Sequence, residues 1–478
     1  MTLPREQGGK DKRPRRVHPR WGSLLTSVLA TMVLLPAAAL GGQVASEEQN
    51  VQVAARIARL LPAVVGILTD VSAEVTVRCG KNERYTVKPA PDRENATGFI
   101  IHPDGWIATN GHVVKSIHED DEAHIRDFLD AAAKAACGPG LAKLPAQRRK
   151  ARLAAIVRDP ENRKGVKLTK RLEVYLPKVL PPGVSHQTSL PAVVKAYSPP
   201  IDPHLLPKDG SPPKPPMLDA AIIKIDATDL PVVPLARNAE QVYEGQPLVI
   251  VGYPGVVLWH DALSRKSRAE ATVTFGRISS FKLDVNDRTI MQTDAAITWG
   301  NSGGPAFDLN GDVIGVATFI STSLEGDQAI QGFNFLIPVD TIQAMARQIG
   351  LTPKADSPFM IEWNQALNYA VAGHLREALE HVDAADKIVP GLIDVWRTRE
   401  RIRKRLEEES QSQKERVAIQ ERGDDQCRGR RSGERGRPHD GGREGDAGGD
   451  QLHATHGRGL ICPSIIGEGL DQVGSPRW

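Results

Sequence analysis

Residues 299–305 read WGNSGGP and place one serine, Ser302, inside a glycine-rich turn. Glycine adopts backbone conformations that other residues avoid and lets the chain approach a bound molecule closely. A turn of this kind can direct two backbone N–H groups, those of Gly300 and Ser302, toward one point beside the serine oxygen. Taken alone, the segment is compatible with an ordinary loop or with an acyl-transfer nucleophile and its oxyanion hole.

A serine hydroxyl attacks a carbonyl only when a neighbouring base removes its proton, and a carboxylate must hold that base in one tautomer. The base candidate is His112, which follows two apolar runs, 98–101 and 106–109, joined by a Pro-Asp-Gly turn that is typical of a hairpin. The carboxylate candidate is Asp219, directly before the apolar run 220–225, which indicates a buried strand. The order His, Asp, Ser along the chain is one in which this triad occurs.

Three segments around these residues resemble the catalytic blocks of the HtrA/Deg serine proteases. They are TGFIIHPDGWIATNGHVV (97–114), LDAAIIKID (218–226) and QTDAAITWGNSGGPAFDLNGDVIGVAT (292–318). The resemblance covers about residues 50–350 and implies a mainly β, chymotrypsin-like fold of two six-stranded barrels with the active site between them. It implies that His112 is the general base, Asp219 its orienting partner and Ser302 the nucleophile. The N–H groups of Gly300 and Ser302 are the implied oxyanion donors.

The same resemblance implies the substrate site. Ile297 would line the pocket for the residue before the scissile bond, and the segment Thr318-Phe319-Ile320 would be the strand along which an extended substrate pairs. No acidic residue stands at the pocket position, which favours a small or medium aliphatic residue over Lys or Arg. The implied activity is a serine endopeptidase that cleaves unfolded or damaged proteins, and the implied assembly is a homotrimer. The alternative is a non-enzymatic, chaperone-like scaffold that binds peptides.

The composition and the N-terminus bear on the compartment. The 478 residues carry 61 Lys and Arg against 58 Asp and Glu, and a net charge of +3 gives no reason to expect nucleic acid. Basic residues before an apolar run at 24–40, followed by small residues through Ala45, are typical of a secretory signal. The segment 1–45 fits a cleaved signal or a membrane anchor, and the protein is expected to be exported, periplasmic or otherwise extracytoplasmic. Cys79 and Cys137 either pair there or stay as thiols.

A long insertion at about 115–216 separates His112 from Asp219. It contains two predicted helices (118–138 and 145–165), two strand-like segments (171–177 and 190–198) and a proline-rich loop at 198–216. Its acidic and histidine-rich start does not predict a metal site, because histidines six residues apart do not share a helix face. No metal or other cofactor is expected. The insertion either covers the rim of the active site or shapes oligomerisation.

After the predicted protease domain (46–352), the sequence shows no obvious PDZ domain of the kind that HtrA relatives usually carry. Residues 356–408 have small residues spaced much as in a tetratricopeptide repeat. Since a lone repeat buries its apolar face poorly, this segment is either a helical hairpin docked on the protease or a module that binds a protein partner. Residues 409–478 are polar and rich in Gly, Arg and Asp, which predicts a disordered tail.

Overall fold

The structure is a computed structural model, and its described residues all belong to one compact unit, Asn50–Trp478. It describes residues 52–433 apart from 81, 180–188, 203–206, 208–210, 212, 214–215, 259–260, 265–269 and 323–328. The predicted signal or anchor at 1–45 and the end of the predicted tail, 434–478, lie outside the described residues. In the described part, no helix is both long and apolar enough to cross a bilayer. The first described element is a helix, α1, over 52–60.

The first barrel is a closed ring of six antiparallel strands with a short seventh strand paired to it. The strands are β1 (Val64–Arg78), β2 (Arg84–Val87), β3 (Asp92–His102), β4 (Trp106–Thr109), β5 (Val166–Tyr175), β6 (Ser189–Ser198) and β7 (Ala220–Ile225). They are ordered β2-β1-β3-β4-β7-β6-β5, and β5 also pairs with β1, which closes the ring. The predicted hairpin is β3 with β4, and the predicted buried strand after Asp219 is β7.

The second barrel has six strands in the closed order β10-β13-β12-β11-β8-β9. They are β8 (Pro247–Gly252), β9 (Thr272–Leu283), β10 (Thr289–Thr293), β11 (Pro305–Phe307), β12 (Val313–Thr322) and β13 (Ala329–Pro338). Apolar side chains of both barrels share one buried cluster, which includes Phe99 of β3 and Phe307 of β11. Two closed six-stranded barrels were implied by the resemblance, and this fold class is confirmed.

The predicted insertion at about 115–216 is not a single continuous addition to the barrel. Helix α2 (Gly111–His118) is followed by α3 (Glu122–Cys137), α4 (Ala146–Arg158) and α5 (Pro160–Lys164). The added parts are α3 to α5 and the β6–β7 connection, whereas β5 and β6 are barrel strands. Leu129 and Ala133 of α3 pack in a buried cluster with Val75 of β1. The Cys79–Cys137 disulfide joins the chain after β1 to the end of α3, so the paired alternative for these cysteines is the one found.

Helices follow the second barrel. They are α7 (Val339–Gln348), α8 (Pro358–Val371), α9 (Leu375–Ile388) and α10 (Ile393–Gly433). Helix α6 (Gly255–Leu258) is short and lies earlier in the chain, directly after β8. Helix α8 packs on α9, and both contribute to a buried cluster with residues of the first barrel such as Ile67. The indole of Trp363 is fully buried there and donates to the carbonyl of Ala58 in α1. The helical segment therefore packs against the first barrel, and its assignment as a tetratricopeptide repeat stays a prediction.

Helix α10 is a correction to the predicted tail, because it continues to Gly433 where disorder was expected from residue 409. Glu, Lys, Arg and Gln have high helix propensity even when no face is buried. The ion pair Lys404–Glu408 and the hydrogen bond from Gln411 to Glu415 also link successive turns of this helix. The polar composition excluded a buried core here, but it did not exclude an exposed helix.

Candidate active site

His112 is presented to the cleft by an abrupt change from strand to helix. Strand β4 ends at Thr109, Asn110 is extended, and α2 begins at Gly111, so His112 lies in the first turn of the helix. A Cβ atom at position 111 would lie 2.0 Å from the carbonyl oxygen of Ser198. Glycine is therefore required there, because the turn brings the backbone of β6 against the residue before the histidine.

Asp219 stands at the start of β7 in a left-handed backbone conformation, with φ of 48°. A non-glycine residue in this region costs on the order of 1–3 kcal/mol, and such residues gather at functional sites. Two hydrogen bonds hold this backbone in place. The Asp219 N–H donates to the carbonyl of Pro199, and the side-chain amide of Asn110 donates to the carbonyl of Asp219 at 3.0 Å. The side chain is 3% exposed. The strained turn aims this buried carboxylate at α2.

The Asp219 carboxylate and the His112 ring are in direct contact. The ring atom Nδ1 lies 2.9 Å from Oδ2 and 3.0 Å from Oδ1, and the His112 backbone N–H donates to Oδ1 at 2.8 Å. An ionised carboxylate only accepts hydrogen bonds, so this contact places the ring proton on Nδ1. The remaining nitrogen, Nε2, is left with its lone pair available as a base.

Opposing effects set the basicity of His112. Burial lowers the pKa of His112, whereas the charge of Asp219, its hydrogen bond and the charge of Glu94 raise it. The pKa of His112 lies above its ordinary value of 6.5, because the attraction of Asp219 and Glu94 together outweighs burial.

Thr318 has a role that the sequence did not indicate. Its hydroxyl donates to Asp219 Oδ2 at 2.5 Å, and the side chain is buried. The resemblance had placed this residue on the substrate strand through its backbone. No local sequence pattern predicts the role of this hydroxyl, because β12 of the second barrel and Asp219 of the first come together only in the folded chain.

The turn around Ser302 has the glycine conformations that its sequence suggested. Gly300 and Gly303 have φ of 97° and 84°, in the region that favours glycine. A Cβ atom at position 303 would lie 2.1 Å from the hydroxyl of Thr109. The turn is thus pressed directly against the strand that leads to His112.

Ser302 and His112 line the same cleft. In the described part of the chain no hydrogen bond joins them, and the Ser302 hydroxyl instead lies 3.3 Å from the carbonyl of Thr318. Hydrogen bonds of this kind are often long or misaligned before a substrate binds.

The cleft has a volume of about 360 Å³. Its lining residues are His112, Pro200, Ile201, Asp219, Thr298, Trp299, Ser302 and Thr318. Pro200 and Ile201 come from the β6–β7 connection, so part of the predicted insertion forms the rim. Trp299 is 57% exposed at the mouth and offers an apolar surface next to the nucleophile turn.

The predicted substrate residues are only partly brought to this cleft. Ile297 is 1% exposed and lies in the core of the second barrel rather than in the lining of the cleft. Thr318, Phe319 and Ile320 are on β12, but the side chains of the last two are outside the described residues. The roles of Ile297 and of this strand stay predictions.

Part of the chain is similar in sequence to known proteins. Residues 96–316 match the family described as trypsin-like peptidase domain. The chain is 33% identical over 151 residues to a putative serine protease HhoB of Synechocystis sp., and 34% identical over 134 residues to a probable periplasmic serine endoprotease, DegP-like, of Hahella chejuensis. These matches cover 30% and 27% of this chain, and 32% and 25% of the relatives. A solved structure of the HtrA-type protease AlgW with tripeptide aligns with a TM-score of 0.35 and 20% identity, over 62% of this chain and 63% of that one.

Residues 96–316, which contain His112, Asp219 and Ser302, are therefore similar to a trypsin-like peptidase domain. Within that class, part of the chain is similar in sequence to the HhoB and DegP-like serine proteases quoted above. The matched part spans about a third or less of the length of the curated relatives quoted above.

Proposed function

We propose that the protein is a serine endopeptidase in which His112, Asp219 and Ser302 form the catalytic triad. The observation that carries this proposal is the cleft itself, which is lined by His112, by the buried Asp219 carboxylate in contact with it and by a serine in a glycine turn. A buried carboxylate fixed on Nδ1 leaves Nε2 as a base, which is the arrangement that activates a serine.

In the proposed reaction, Nε2 of His112 accepts the proton of Ser302 as its Oγ bonds to the scissile carbonyl carbon. The carbonyl oxygen becomes an anion, which the N–H groups of Gly300 and Ser302 stabilise. The imidazolium then protonates the departing amine and the peptide C–N bond breaks, leaving an ester on Ser302. Water repeats the sequence with His112 as base, and the acid product leaves. Asp219 stays ionised throughout and stabilises the charged imidazole.

The proposed substrates are unfolded or damaged proteins outside the cytoplasm. Supporting this, relatives are described as periplasmic endoproteases, and the Cys79–Cys137 disulfide suits an oxidising compartment. The apolar residues Pro200, Ile201 and Trp299 on the cleft wall fit extended apolar segments, which unfolded chains expose. A preference for an aliphatic residue before the scissile bond is part of the proposal.

The test compares digestion of unfolded casein and labelling by a fluorophosphonate for the wild type, Ser302→Ala, His112→Ala and His102→Ala. His102 is the matched control, because its ring also lies near a carboxylate, Asp104 at 3.5 Å, but outside the cleft. Wild type and His102→Ala should digest and be labelled, and the other two should not. If the wild type binds casein without cleaving it and resists labelling, the protein is instead a peptide-binding scaffold.

A further inference from the structure

Asn110 stands between β4 and α2, directly before the helix whose first turn carries His112. It is completely buried, and its backbone is extended, with φ of −81° and ψ of 157°. An asparagine at this position usually caps its own helix by accepting from the N–H of the second or third helical residue. Here the side chain makes no such bond. Its NH₂ group donates instead to the carbonyl of Asp219, 3.0 Å away.

The Asp219 carboxylate takes the capping position that Asn110 leaves open. The second helical residue of α2 is His112, and its N–H donates to Asp219 Oδ1 at 2.8 Å. The N-terminus of a helix favours a negative charge, so the helix also stabilises the ionised carboxylate. The same carboxylate contacts Nδ1 of the His112 ring at 2.9 Å. One group therefore caps the helix and orients the base that the helix carries.

The backbone of Asp219 must be held for this double contact to persist. Its φ of 48° lies in the left-handed region, which is disfavoured for residues other than glycine. The peptide before its Cα is held by the bond from its N–H to Pro199, and the peptide after it by the bond from Asn110 to its carbonyl. These two peptides define φ and ψ of the residue, so relaxation of the strained turn weakens or breaks one of these bonds. The bond from Asn110 comes from a side chain and can be removed by substitution.

Stability alone does not explain an amide at position 110. The Oδ1 atom of Asn110 is buried and has no hydrogen-bond partner among the residues that the structure describes. A buried polar atom without a partner is destabilising. A leucine branches at the same carbon, fills the space with apolar atoms and avoids this cost. What the asparagine supplies is its NH₂ group, whose acceptor is the carbonyl of Asp219.

We propose that Asn110 is a positioning residue for the carboxylate of the triad. Through its bond to the Asp219 carbonyl it keeps the carboxylate at the start of α2, where the carboxylate holds the proton of His112 on Nδ1 and leaves Nε2 as the base. Because Asn110 is completely buried, it acts without touching the substrate. The inference rests on the proposed protease function.

The test compares the wild type with Asn110→Leu, which removes the donor, and with Asn162→Leu as the matched control. Asn162 in α5 is also buried, and its NH₂ group also donates to a backbone carbonyl, that of Ile156 at 3.0 Å. Its Oδ1 additionally accepts from the N–H of Arg78 at 2.8 Å, so its replacement should lower stability at least as much. Measured are the melting temperature, kcat and KM on a fluorogenic peptide, and the pH profile of kcat/KM. Proton NMR follows the Nδ1–H signal of His112, which is identified by its absence from His112→Ala.

Asn110→Leu should lower kcat about 10- to 100-fold with KM nearly unchanged, short of the roughly 10⁴-fold loss when the carboxylate itself is replaced by an amide. The charge and hydrogen bond of Asp219 raise the pKa of His112. A displaced carboxylate should therefore move the pH midpoint of kcat/KM down by about half a unit or more. The Nδ1–H signal should weaken or shift to higher field. Asn162→Leu should lose comparable thermal stability yet keep kcat, the midpoint and the signal.

A folded Asn110→Leu with the kcat, midpoint and Nδ1–H signal of the wild type would overturn the inference, and so would an equal loss of kcat in Asn162→Leu. In either case, a wild type that is active and labelled at Ser302 leaves the proposed function standing. If the wild type neither hydrolyses peptides nor reacts with the fluorophosphonate, the proposed function itself fails. Should Asn110→Leu not fold, Asn110→Ala removes the same donor with less volume and is judged by the same measurements.

Discussion

Replacing Asp219 by asparagine tests the triad most directly, because it removes the charge while leaving the shape of the side chain. In the native protein the carboxylate accepts from the His112 backbone, from His112 Nδ1 and from the Thr318 hydroxyl. An asparagine oxygen can still accept from the backbone N–H. Its NH₂ group is a donor, however, and cannot accept the proton of Nδ1.

The consequence is a change of tautomer. With an NH₂ group facing it, Nδ1 of His112 becomes the acceptor and the ring proton moves to Nε2, which can then no longer take the proton of Ser302. The lost charge also stops stabilising the imidazolium. Substitutions of this kind lower kcat by about 10⁴, or about 5 kcal/mol of activation free energy.

Folding should survive, because the amide retains most of the hydrogen bonds. The Thr318 hydroxyl can turn to accept from the new NH₂ group, so a loss of about 1–3 kcal/mol of stability is expected. The assay is kcat on a fluorogenic peptide, with thermal unfolding and circular dichroism as checks. Asp104→Asn is the control, since Asp104 lies beside the ring of His102, outside the cleft. An Asp219→Asn variant that folds and keeps kcat within tenfold of wild type would refute the assigned role of the carboxylate.

Two further predictions concern pH and the disulfide. Since His112 must be neutral to accept a proton and its pKa is raised, activity should fall as pH drops through a midpoint above 6.5. Glu94→Gln removes one of the negative charges that raise the pKa of His112, so the midpoint of the kcat/KM profile should move to lower pH. An unchanged midpoint would show that Glu94 does not act on the base. Removing the Cys79–Cys137 bond, which closes a loop of sequence separation 58, should lower the free energy of unfolding by up to about 4 kcal/mol. Chemical denaturation of a Cys79→Ser, Cys137→Ser variant measures this, and a loss well under 1 kcal/mol would contradict it.

Much of the candidate site could be predicted from local sequence. The hairpin before His112 and the strand after Asp219 follow from short apolar runs and turn residues, which act between neighbours in the chain. The glycines around Ser302 likewise show where the backbone must bend sharply. These signals are local, so they needed no knowledge of how the barrels pack.

Other features depended on contacts between distant segments. The insertion was expected to lie on the rim or to shape assembly, and its β6–β7 connection places Pro200 and Ile201 on the cleft wall. Helix α10 extends into the segment for which disorder was predicted, because a polar composition excludes a buried core but does not exclude an exposed helix. Ile297 lies in a barrel core, a position that its place along the chain did not reveal.

The sequence by itself determined the chemical groups of this protein: a serine in a glycine turn, a histidine after a hairpin and an aspartate before a strand, in the order of a known triad. The tertiary structure decided how they are held. Thr97 and Thr318 join the two barrels across the site, and the C-terminal helices share a core with the first barrel. Local propensity cannot reveal such contacts, because each joins segments that are far apart in the sequence and meet only in the folded chain.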